Sequence, residues 1–84
     1  MSRVRTAYDD ALRLLCTSTS LENFWFAYKV VKNASQTYGQ YDNSVRTELF
    51  SIKDMVLQNS DVTTPSYRLA KLTDKLSKAK GREE

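Results

Sequence analysis

Arg68, Lys71, Lys75, Lys78 and Arg82 recur at spacings of three, four, three and four, and Asp74 is the single acid between residues 64 and 82. On an α-helix that spacing puts all five cations on one face, over about 21 Å at 1.5 Å per residue. Lys80 falls off the line. A row of cations with this rise can follow a phosphodiester backbone, because each neutralised phosphate releases condensed counterions and adds salt-dependent affinity. The solvated face of an amphipathic helix has the same composition, and cations in its last turn also suit the helix dipole. The near absence of interleaved acids tips the balance toward an anionic partner.

Further cations could widen that surface: Arg3, Arg5 and Arg13, then Lys29 and Lys32, then Arg46 and Lys53. Arg46 and Lys53 are seven apart and share one side of their helix, about a quarter turn from Val45 and Ile52. Glu48 and Asp54 partly offset them. Four of the nine aromatic side chains fall within five residues, Phe24, Trp25, Phe26 and Tyr28. Unpaired bases could stack on them, but Phe24, Tyr28 and Val31 recur at i, i+4 and i+7, the period of a helix face that packs against protein. Phe24, Trp25, Tyr28 and Val31 are therefore expected in the core or at a dimer interface, and the rest of the chain is expected to be built around their helix. Tyr38 and Tyr41 bracket Gly39 and are the better stacking candidates.

Catalysis has little to work with. The chain has no histidine, which removes His-based acid–base chemistry and His-containing metal sites. Its one cysteine, Cys16, can form neither an internal disulfide nor a thiolate cluster. Beside a Ser/Thr turn, Cys16 reads as a small semi-buried residue rather than a nucleophile. Asp9 and Asp10 diverge by about 100° around a helix and are not a paired carboxylate site. Glycine-rich phosphate loops are missing as well. No catalytic residue, metal site or cofactor is expected, and the protein is expected not to be an enzyme.

Eighty-four residues make a single domain, 1–84, that buries only roughly 60 to 65% of the surface its unfolded chain exposes. With 40% hydrophobic and 27% charged residues and a net charge of +3, the composition is that of an ordinary globular protein. Asp9 and Asp10 stand where an export signal would need an apolar run, so a cytoplasmic or nuclear setting is expected. The elements that must carry the cations are helices, expected at about 3–15, 20–36, 45–57 and 65–80. Val4, Tyr8, Ala11 and Leu15 repeat at 4-3-4 in the first, and Val45, Leu49, Ile52 and Val56 do so in the third. Thr19-Ser20-Leu21-Glu22 reads as a capping box, Gly39 as a left-handed stop, Asp42 or Ser44 as a cap, and Thr64-Pro65 as a helix start. The expected fold is all-α, a small bundle of three to four helices completed by homodimerisation, since one neighbour cannot cover the wide apolar surface of the second helix. Leu69, Leu72 and Leu76 against a lysine face also suit an interfacial membrane helix, but that helix has no Trp or Phe and its apolar face is narrow, so no membrane partner is expected.

Asp42-Asn43-Ser44-Val45-Arg46-Thr47-Glu48-Leu49, followed by Lys53, Met55-Val56 and Pro65, resembles the entry to the second helix in the small RNA-silencing suppressors of nodaviruses. The resemblance implies an all-helical homodimer that lays basic side chains across successive grooves of double-stranded RNA, with Arg46 and Lys53 on phosphates, and sequesters that RNA from a host pathway. The family's second helix is long, whereas Asn59 to Thr63 should end it here. A-form RNA hides its base edges in a deep, narrow groove, so a helical surface of cations would read shape and phosphate. The leading expectation is non-sequence-specific nucleic-acid binding with double-stranded RNA preferred. The alternative is a protein-interaction module whose aromatic helix docks a host partner.

Overall fold

Four helices follow one another: α1 (Arg3–Thr17), α2 (Leu21–Thr37), α3 (Asn43–Asn59) and α4 (Thr63–Gly81). The computed structural model describes the backbone of residues 3–59 and 61–81 and the side chains of residues 7–58 and 61–78. Among these there is no strand, and the small all-α bundle expected from the sequence is the fold observed.

Each helix ends one or two residues past its expected limit, α3 and α4 also start two residues early, and α2 starts one residue late. Thr17 ends α1, its hydroxyl donating to the Arg13 carbonyl at 2.7 Å. α2 is capped by Ser20, whose Oγ accepts from the Asn23 amide at 3.1 Å, not by Thr19. The expected capping box is thus displaced by one residue, leaving Glu22 exposed in the first turn, where its charge suits the dipole. Asn23 also closes off the helix before it, donating its side-chain amide to the Leu14 carbonyl at 3.1 Å. Asp42 caps α3, its Oδ1 accepting from the Val45 amide at 2.9 Å. α4 opens two residues before Pro65, with Asp61 Oδ1 accepting from the Thr63 amide at 3.1 Å. Pro65 stands inside the first turn, where an amide would find no intrahelical partner, so its lack of one costs nothing. Gly39 ends the α2 segment with φ 73°; a Cβ there would meet nothing within 4 Å, so glycine is needed for the backbone conformation alone.

One buried cluster joins Tyr8, Ala11 and Leu15 of α1, Phe24, Ala27 and Val31 of α2, Val45, Leu49, Ile52 and Val56 of α3, and Leu69, Leu72 and Leu76 of α4. α1, not α2, makes the two broadest interfaces, with α2 on one side and α4 on the other, while α3 leans chiefly on α4. Ser66, Ala70, Thr73 and Ser77 form a line of small residues along α4 beside its leucines. Small residues let helix axes approach closely, and a helix flanked by them can touch two neighbours.

Part of the apolar surface of α2 is covered within one chain, while Leu21 and Phe26 stay exposed. Phe24 and Val31 are fully buried within one chain. Trp25 sits edge-on to Phe24 at 5.0 Å and to Tyr28 at 5.7 Å, and both Trp25 and Tyr28 are half-buried against the core. Of the two readings, core and dimer interface, Phe24 and Val31 take the core. The radius of gyration, 12.0 Å, is about that of a compact single domain of this length.

Candidate nucleic-acid interface

Leu69, Leu72 and Leu76 fix the rotation of α4 by burying one line of it. Arg68, Lys71, Lys75 and Lys78 then face outward, all exposed, along about 15 Å of helix. Arg82 lies outside the described residues, as do the side chains of Arg3 and Arg5.

The four cations differ in what they touch. Arg68 reaches over to α3, where its Nη2 lies 3.5 Å from Glu48 Oε2 and its Nη1 lies 3.4 Å from Met55 Sδ. Lys78 pairs with Asp74 at 3.1 Å. The Lys71 ammonium lies 5.4 Å from the centroid of the Tyr67 ring, a cation–π contact within its own helix. Lys75 has no ion-pair partner among the described residues, and neither does Lys71. Two of the four are thus partly neutralised, one by the local acid Asp74 and one by Glu48 from the neighbouring helix.

Between α3 and α4 runs an open groove of about 400 Å³. Val45, Leu72 and Leu76 form its floor, and Arg68, Lys71 and Lys75 form one rim, facing Ser44 and Glu48. Anions that settle on this rim meet three cations and one carboxylate.

Arg46 and Lys53 do not join this surface, contrary to the sequence expectation. α3 turns its Glu48 flank toward Arg68. At about 100° per residue Arg46 lies some 160° round the helix from Glu48, and Lys53 lies beside Arg46. Arg46 donates to Asn43 Oδ1 at 3.4 Å, and the Lys53 ammonium rests 5.5 Å from the Phe50 ring centroid. Tyr38 and Tyr41 are half-buried against the core and are not open stacking platforms. Cys16 is exposed rather than semi-buried.

Gln40, which no motif or period singles out, holds the rim in register. Its Oε1 accepts from the Tyr8 hydroxyl at 2.6 Å, and its Nε2 donates to the Leu76 carbonyl at 3.0 Å. One side chain thereby ties α1, the α2–α3 connection and the cation-bearing α4. Burial, with Tyr38 close by, pushes the Tyr8 hydroxyl up to about 12 and keeps it a donor. Burial, with Tyr41 close by, raises Tyr28 in the same direction.

Among the described residues no cluster of three or more His, Cys, Asp or Glu side chains could hold a metal ion. None of the described helices is long and apolar enough to cross a membrane. No protein-family model matches the chain, and no curated protein or solved structure matches it.

Proposed function

We propose that the protein is a non-enzymatic nucleic-acid-binding module that uses the outer face of α4, without sequence specificity and with double-stranded RNA preferred. The supporting observation is the row Arg68, Lys71, Lys75 and Lys78, exposed over about 15 Å of one helix, with Lys71 and Lys75 unpaired by any described acid. Such a row supplies phosphate contacts and no base readout, since lysine ammonium groups are point charges on flexible stems. The duplex preference rests on shape: a straight helix can follow the phosphates of an A-form duplex whose base edges are hidden. The resemblance to nodavirus suppressors adds a role, sequestering duplex RNA from a silencing pathway. Homodimerisation belongs to the same proposal, with Leu21 and Phe26, 49% and 60% exposed, the apolar groups of α2 left for it; a monomeric mass by light scattering at micromolar concentration removes that part.

Fluorescence anisotropy against equal-length double-stranded RNA, double-stranded DNA and single-stranded RNA at two salt concentrations tests the main claim. With two to four phosphates neutralised, log K should fall with log salt at a slope of about −2 to −4. Reversing charge at Lys71, Lys75 and Lys78 together should abolish binding while the helical circular dichroism stays unchanged, because all three side chains are exposed. Absence of binding at low salt overturns the proposal. The alternative, a host protein docked on Phe24, Trp25, Tyr28 and Val31, has lost two of its four residues to the core.

A further inference from the structure

Arg46, Phe50, Lys53 and Leu57 repeat at spacings of four, three and four along α3, the seam period of a helix that packs lengthwise against one other helix. Val45, Leu49, Ile52 and Val56 carry the same period one residue earlier and form the buried line of α3. The second line lies about 100° further round and is uncovered: Phe50 is 62% and Leu57 65% exposed. Within the chain α3 meets α4 on the other flank, through Glu48 and Arg68. Neither Arg46 nor Lys53 has an ion-pair partner among the described residues, and the neighbouring Asp54 is engaged by Gln58 Nε2 at 2.8 Å.

We propose that this line is a docking surface for an acidic amphipathic helix, one that sets apolar side chains against Phe50 and Leu57 and carboxylates against Arg46 and Lys53. The alternation argues for that occupant. A protein helix matches cation and apolar group residue by residue at the seam period, with two unpaired cations to complement. A lipid surface instead calls for a broad apolar face bordered by cations, and here the cations sit within the apolar line. A second copy fits poorly: about a twofold axis through the middle of the line, Arg46 meets Leu57 and Lys53 meets Phe50 of the copy, so neither cation gains a carboxylate. The surface lies on the side of α3 away from the α4 cations, so it stands independently of the nucleic-acid proposal.

The probe is a fluorescent synthetic helical peptide with Leu and Glu alternating at four-three-four spacing, beside the same peptide with Lys in place of each Glu. Both are titrated into the full chain by anisotropy, and the contact is mapped by amide chemical shifts. The Glu peptide should bind about tenfold or more tightly than the Lys peptide, with shifts centred on Arg46, Phe50, Lys53 and Leu57. Phe50→Ser should weaken it about tenfold, as expected for an interface anchor, with little change in thermal stability because Phe50 is mostly solvated. The double change Arg46→Glu and Lys53→Glu should reverse the preference between the peptides. Shifts centred on Lys71 and Lys75 instead, equal binding of both peptides, or protection of this line by duplex RNA, by anionic vesicles or by self-association would each overturn the proposal.

Discussion

Tyr8 and Gln40 show how one polar contact can set the geometry of a surface it does not belong to. The Tyr8 hydroxyl has no exposure and donates to Gln40, which in turn donates to the backbone of α4. A buried donor that loses its acceptor costs about 1–3 kcal/mol, so this pair holds more than one ordinary surface hydrogen bond would. The tyrosine also predicts a pH dependence. Its folded-state value, about 12, stands above the ordinary value of 10.0 that the unfolded chain keeps. Stability from this group is therefore complete below about pH 10 and is lost as pH rises toward about 12, at up to roughly 1.4 kcal/mol per pH unit while only the unfolded chain ionises. Tyr28 is shifted upward too and adds in the same sense. Urea midpoints measured from neutral to alkaline pH should drop above about pH 10, and the drop should be smaller in Tyr8→Phe. An equal drop in both proteins would rule out Tyr8 as its source. Nothing in the sequence pointed to Gln40, because a glutamine in a connection has no period to betray it.

At the scale of the helix, the α4 row is legible in the sequence as spacing but not as net charge. Asp74 was visible four residues before Lys78, the arrangement that pairs on a helix surface, and the pair is present. Glu48 was not foreseeable as the partner of Arg68, since the two are twenty residues apart and meet only because α3 lies along α4. That contact gives Glu48 a role as an internal competitor for the cation. In Glu48→Gln, Arg68 is released to phosphate, and binding to duplex RNA should tighten several-fold, with the salt slope steeper by up to about one. Stability should change by less than about 1 kcal/mol, because both partners are substantially solvated. Unchanged affinity and slope in the anisotropy titration would show that Arg68 contributes no phosphate contact.

For the whole molecule, the decisive feature is that four helices of 15 to 19 residues close one core inside a single chain. Phe24 lies at its centre and is fully buried. Phe24→Ala should cost about 3–5 kcal/mol, a large part of what a domain of this size possesses, and the urea transition should shift accordingly while remaining two-state. A loss below about 1 kcal/mol would mean that the aromatic cluster is peripheral. Local chemistry determined the four helices, the Asp42 cap, the left-handed Gly39 and the cation spacing of α4, because hydrophobic period and capping act within a few residues. What only the tertiary structure decided was which faces meet. The sequence alone could not say that Phe24 and Val31 are buried within one chain, that α1 is the helix with two neighbours, or that Arg46 and Lys53 turn away from the α4 cations. Those outcomes depend on how small and large side chains interlock between helices distant in sequence, and a single helix's periodicity carries no record of the rotation its neighbours impose.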